Sequence, residues 1–150
     1  MSNGARVPVA ATHAVRDTCI CLHVQRAARA LARRFDDALR PLGLTNGQFS
    51  LLAALNRAEP ARLGQVAELL AMDRTTLTAA LKPLERRGLV AVTVDESDRR
   101  GRRLGLAPAG HDLLRAALPV WKREHARIER AADARDSSLG RLRRDLRFFA

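Results

Sequence analysis

Met72-Asp73-Arg74-Thr75-Thr76-Leu77-Thr78 is the stretch on which the reading of this chain turns. It joins two runs of helical periodicity. Upstream, Leu63, Val66, Ala67, Leu69 and Leu70 face inward over about two turns; downstream, Leu77, Leu81 and Leu84 recur at three- and four-residue spacing. Asp73 is placed to cap the second run, predicted over about 74–87, with Gly88 at the left-handed position just past its end and Pro83 bending it mildly. Two short helices joined by so tight a turn form a helix-turn-helix, whose second helix enters the major groove of DNA with its N-terminal end toward the bases. Arg74, Thr75, Thr76 and Thr78 are small or forked donors suited to base edges and phosphates, and Lys82 lies one turn further on.

Working outward, Leu89-Val90-Ala91-Val92-Thr93-Val94 is short and β-branched and is predicted as a strand, with Arg103-Leu104-Gly105-Leu106 as its antiparallel partner. The polar segment 95–102 between them makes a β-wing. From Arg74 to Arg103 there are eight basic residues against four acidic ones, and four of the eight, Arg99, Arg100, Arg102 and Arg103, crowd the expected tip. A hairpin tip has no packing use for four arginines. Such a tip can place a guanidinium in the narrow, electronegative minor groove, so double-stranded DNA is the expected partner.

On the N-terminal side, Ile20, Val24, Ala27, Ala28, Leu31, Phe35, Ala38 and Leu42 mark one long amphipathic helix over about 14–42, stopped by Pro41 and Gly43. Thr45 offers a cap for the next helix, through Phe49, Leu52, Ala53 and Leu55. On the C-terminal side a helix starts near Pro108 and runs through Leu114, Leu118, Trp121 and Ile128, with a kink expected at Pro119. A last helix from Asp136 or Ser137 carries Leu139, Leu142 and Leu146 on one face and Arg141, Arg143, Arg144 and Arg147 around it. Residues 1–12 lack periodicity and read as a flexible arm. The expected organisation is mainly α with a small β-wing: one domain over 13–150, a DNA-binding lobe at about 45–107, and dimerisation helices at about 14–42 and 108–150.

Composition agrees with this pattern. The 150 residues carry 27 Lys+Arg against 16 Asp+Glu, a formal net charge of +11, which suits a polyanion binder. Only Lys82 and Lys122 are lysines, so the preference for arginine is also open to a coding-bias explanation. Four Phe, one Trp and no Tyr leave few faces on which unpaired bases could stack, which disfavours a single-strand binder. There is no signal-peptide pattern and no run of about 18 apolar residues, so a cytoplasmic protein without a membrane partner is expected.

Several motifs together resemble the MarR family of transcriptional regulators. These are Leu42-Gly43-Leu44-Thr45 with Gln48-Phe49, then Met72-Asp73-Arg74-Thr75-Thr76-Leu77-Thr78, Leu84-Glu85-Arg86-Arg87-Gly88-Leu89-Val90, and Asp98-Arg99-Arg100 leading to Leu106-Ala107-Pro108-Ala109-Gly110. The resemblance spans about residues 19–130. It implies a winged helix-turn-helix homodimer whose first and last helices intertwine, with two lobes on a pseudo-palindromic operator. It also implies that Asp98 orients Arg100 for the minor groove, and that small aromatic or phenolic ligands bind between the dimer region and the DNA lobes. Ala107 departs from the pattern, which usually has Thr there; a side-chain cap worth about 1 kcal/mol is lost.

The same resemblance puts Cys21 in the register of the peroxide-sensing cysteine of the organic-hydroperoxide branch, but with Gln25, Phe35 and Asn46 where that branch has tyrosines. Local charge points instead to Cys19, with Arg16 at i−3 and His23 at i+4. A metal site from His13, Cys19, Cys21 and His23 is not expected, because in one continuous helix the two cysteines lie about 200° apart. No Gly-rich phosphate loop, nucleophile motif or acid-base pair appears, so neither an enzyme nor a cofactor is expected. The expected function is a sequence-specific DNA-binding regulator, a repressor released by a small ligand. The alternatives are a thiol-based peroxide sensor using Cys21 and a sequence-tolerant architectural DNA binder.

Overall fold

The starts and stops of the helices follow from local chemistry. Thr45 accepts a hydrogen bond from the Gln48 N–H while the Gln48 side chain accepts from the Thr45 N–H, a reciprocal capping box. Gly43 at φ 65° and Gly88 at φ 68° occupy the left-handed turns that end two helical segments. In the computed structural model, which describes residues 6–149, the elements are α1 (Val9–Thr18), α2 (Ile20–Leu39), α3 (Asn46–Leu55), β1 (Ala61–Arg62), α4 (Leu63–Leu69), α5 (Arg74–Arg86), β2 (Val90–Asp95), β3 (Asp98–Leu106), α6 (Pro108–Asp133) and α7 (Leu139–Leu146). Single 3-10 turns follow α2, at Arg40–Leu42, and α7, at Arg147–Phe149.

Leu39, Leu52, Val66, Leu77, Leu84 and Leu104 are fully buried, so one core joins α2, α3, α4, α5 and β3. The sheet is antiparallel, in the order β1-β3-β2, with Ala61 opposite Leu104 and Val92 opposite Leu104 on the other side. α6 leaves the sheet at a close approach: the Ala107 N–H donates to the Leu89 carbonyl at 3.0 Å, and Gly110 is buried against that same carbonyl. Ala107 supplies no side-chain cap, and this backbone bond holds the start of α6 instead. Further along, α6 packs on α2, where Arg34 places Nε 2.8 Å and Nη2 2.6 Å from Oε1 of the buried Glu124.

The structure departs from the sequence-based expectations in several places. The long first helix is two helices, broken at Cys19, whose ψ of 105° is extended. The segment 1–12 is helical from Val9, where Ala10 and Ala11 favour helix, although α1 buries no residue; residues 1–5 lie outside the described ones. β3 begins at Asp98 rather than Arg103, because the chain turns at Glu96-Ser97, so the hairpin is longer and its turn shorter than the polar composition suggests. The short β1, which pairs with β3, was not foreseen. α6 runs through Pro119 as a single helix, and α7 starts at Leu139 with Ser138 as its cap.

Candidate nucleic-acid interface

α5 turns Leu77, Leu81 and Leu84 into the core and leaves Arg74, Thr75, Thr76, Thr78 and Lys82 exposed. Asp73 anchors its start: Oδ1 accepts the Thr76 N–H at 2.8 Å and Oδ2 the Thr76 hydroxyl at 2.5 Å. These two bonds hold the Asp73 carboxyl below the usual carboxylate range. The Thr76 hydroxyl proton is thereby committed, so Thr76 presents a methyl group and lone pairs rather than a donor. Thr78 likewise spends its hydroxyl proton on the Arg74 carbonyl, at 2.7 Å. Among the described residues, the side chains of Arg74, Thr75 and Lys82 make no hydrogen bond, which leaves their donors free at the leading edge of α5.

The wing carries its arginines along β3 rather than at a tip. Arg99, Arg100 and Arg102 are exposed. Asp98 acts on Arg100 through the backbone, its Oδ1 accepting the Arg100 N–H at 3.0 Å. No ion pair joins the two side chains among the described residues. Arg103 differs from the other three and has a packing use: its Nε lies 2.9 Å from Oδ2 of Asp95 and its Nη1 donates to the Pro60 carbonyl at 3.2 Å. The expectation that all four arginines are surplus to packing therefore fails at Arg103, since β1 brings Pro60 alongside it.

Asp95 is the residue that sequence reasoning missed. It is buried (3% exposed) at the end of β2, beside the turn of the wing. The Ser97 hydroxyl and N–H donate to Oδ1 at 2.8 and 3.0 Å, while Arg103 and Arg62 share Oδ2. The Ser97 bonds and then the Arg103 guanidinium hold Asp95 far below the usual carboxylate range. A cleft of about 680 Å³ lies between the wing, α4 and the start of α5, and Arg62, Arg74, Arg100 and Arg102 line it together with the acidic Glu68, Asp95 and Asp98. Four arginines, from β1, α5 and β3, thus line one concavity at the leading edge of α5, although Arg102 donates from Nη1 to the Gly101 carbonyl of its own strand at 3.1 Å.

The cysteines sit elsewhere, at the start of α2. Cys21 is exposed, and its Sγ lies 3.2 Å from the Gln25 amide nitrogen, a donor where tyrosine hydroxyls were expected to be missing. An apolar cleft of about 470 Å³ beside it is lined by Ile20, Val24, Leu146 and Phe149. Cys19 lies in the break rather than inside a continuous helix, so the 200° separation does not apply. The local-charge argument for Cys19 also weakens, because Arg16 directs its fork at Asp17, at 2.5 and 2.8 Å. Of the two histidines on α6, His111 is exposed, and His125 packs against Trp121 with ring centroids 4.8 Å apart and the rings tilted by 32°.

Comparison with known proteins places this arrangement. The model of the MarR family matches residues 42–101. The solved structure of the M. tuberculosis transcriptional regulator MosR in complex with DNA is 36% identical, with a TM-score of 0.79, and the alignment covers 87% of this chain and 92% of that one. CouR from Rhodococcus jostii RHA1, solved bound to p-coumaroyl-CoA, is 28% identical at a TM-score of 0.64, covering 74% and 78%. The HTH-type transcriptional regulator SarZ of Staphylococcus epidermidis is 28% identical over 94 residues, 63% of this chain; the match spans 64% of that relative's length. No helix among the described residues is long and apolar enough to cross a membrane.

Proposed function

Since the chain belongs to the MarR family of transcriptional regulators, we propose that it is a sequence-specific, double-stranded DNA-binding regulator that works as a homodimer in the cytoplasm and performs no catalysis. The observation that carries this reading is the convergence of the exposed edge of α5 with the arginine-bearing wing on one cleft of a single lobe. Arg74, Thr75, Thr76, Thr78 and Lys82 meet the major groove. Arg99, Arg100 and Arg102, with Asp98 fixing the backbone of Arg100, serve the flanking minor groove and phosphates. Arg103 contributes by holding the wing in place.

Dimerisation is supported by the apolar side chains left uncovered on the flanking helices. Ile20, Val24, Leu31, Leu118, Leu142 and Leu146 are exposed in the single chain, and a second copy gives them a partner. Two lobes held together read half-sites about one helical turn apart, so the operator is pseudo-palindromic. Repression relieved by a small aromatic or phenolic ligand fits the same arrangement, and the relative solved with p-coumaroyl-CoA supports a ligand of that kind. The test is selection from a random duplex pool by the purified protein. An enriched inverted repeat, bound at least 1000-fold more tightly than random duplex, is the expected result. Uniform binding to all duplexes would instead indicate a sequence-tolerant architectural protein, and no binding would refute the reading.

A further inference from the structure

We propose that Arg62, in the strand that precedes α4, is a phosphate-contacting residue of this interface, pre-set in pose by Asp95 and Ser97; the proposal rests on the DNA-binding reading above. Arg62 lies outside the helix and the wing from which contacts were expected, yet it lines the same cleft as Arg74, Arg100 and Arg102. Its Nε is 3.0 Å from Oδ2 of Asp95, and its Nη2 donates to the Ser97 hydroxyl at 3.2 Å. Those two bonds use two of the five guanidinium N–H groups. The other three, including both on Nη1, have no protein partner among the described residues, and the side chain is 57% exposed.

The comparison with Arg103 separates a bracing role from a presenting one. Both arginines reach the same carboxylate oxygen and each makes one further bond, but Arg103 spends its second on the Pro60 backbone carbonyl and is only 33% exposed against 57% for Arg62. Arg103 already supplies Asp95 with a cation, and Ser97 supplies two hydrogen bonds, so the buried carboxylate is satisfied without Arg62. Helix capping does not account for an arginine there either. The position before a helix favours Ser, Thr, Asp or Asn, and the Arg62 side chain makes no cap bond. What the arrangement does provide is a guanidinium held by two bonds, on a half-exposed side chain that lines a concavity with three other arginines. Fixing the side chain beforehand removes most of the entropy cost of ordering it on a phosphate.

The experiment measures affinity against salt concentration for the full-length protein on the selected duplex and on an unrelated one. Arg62→Ala is expected to lower the slope of log K against log salt by about 0.9 per lobe, equally on both duplexes, because a phosphate contact carries no sequence information. Arg62→Lys is expected to restore that slope, since it returns the charge without the fork. In the double variant with Arg100→Ala, the two slope losses are expected to add. An unchanged slope for Arg62→Ala overturns the proposal. So does a double variant that loses no more than Arg100→Ala alone, because Arg62 then acts only by bracing the wing. If wild type binds no duplex at all, the regulator reading itself fails, an outcome distinct from wild-type binding with an unaffected Arg62→Ala.

Discussion

Gly110→Ala tests the joint between the sheet and α6. A Cβ at Gly110 would stand 2.1 Å from the Leu89 carbonyl oxygen, whereas an ordinary carbon-to-oxygen contact is about 3.3 Å. Backbone atoms lie on both sides of this contact, so the start of α6 has to move by about 1 Å. That movement stretches the 3.0 Å bond from the Ala107 N–H to Leu89, which is the bond standing in for the missing side-chain cap. Overpacking costs about 1–3 kcal/mol and the weakened hydrogen bond about 1 more, for a loss of about 2–4 kcal/mol. In a chain of this size each kcal/mol shifts the melting temperature by about 2–4 °C, so a fall of about 4–16 °C is expected. Thermal unfolding by circular dichroism at one fixed protein concentration measures it, the concentration being held because a dimer's melting point depends on it. Gly47→Ala is the control: a Cβ there has only the Thr45 hydroxyl at 4.0 Å, and the better helix former is expected to leave stability unchanged or raise it. A Gly110→Ala melting point within 1–2 °C of wild type would refute the close approach of α6 to Leu89.

The remaining predictions concern charge, assembly, readout and the thiols. The pKa of Asp95 is depressed in the folded state, so its contribution to stability is fully present above the unfolded-state value of about 3.9 and is lost as pH falls below it toward the folded value. The stability gap between wild type and Asp95→Asn, from urea unfolding, is therefore expected to shrink from pH 5 to pH 3; a constant gap contradicts this. Deleting residues 137–150 removes Leu142 and Leu146 and should give an aggregating or unstable chain by sedimentation, whereas a folded, DNA-binding monomer would exclude the intertwined dimer. Thr76→Ala is expected to relax base preference in competition assays, while Arg100→Ala should weaken binding to A·T-rich flanks and lower the salt slope by about 1 per wing. If the thiols sense oxidant, an organic hydroperoxide releases wild type from its operator and a thiol reductant restores binding, while Cys21→Ser binds without responding and Cys19→Ser responds as wild type does. A Cys19/Cys21 double serine variant released as readily as wild type makes both thiols bystanders.

The recognition helix and its neighbours were legible in the sequence because their determinants are local. Asp73 before an Arg-Thr-Thr start, Gly88 after Arg87, Thr45 three residues before Gln48, and leucines at three- and four-residue spacing each act within one or two turns of chain. Backbone geometry converts such spacing directly into a cap, a stop or a buried face. The same locality let the order of motifs identify the family, and left Arg74, Thr75 and Lys82 exposed on α5 where they were expected.

Tertiary structure decided the rest. Asp95, read only as part of the polar segment 95–102, is buried because Arg62, 33 residues earlier, and Arg103, eight residues later, meet at its carboxylate. Arg103 left the set of free arginines because β1 brings the Pro60 carbonyl beside it. The helix break at Cys19 likewise escaped a reading based on periodicity, since the apolar pattern begins only at Ile20 and no Pro or Gly marks a stop before it. A charged side chain's role depends on which opposite charge it meets and how much water remains around the pair. Residues that are distant along the chain set both quantities, and only the packed fold brings them together.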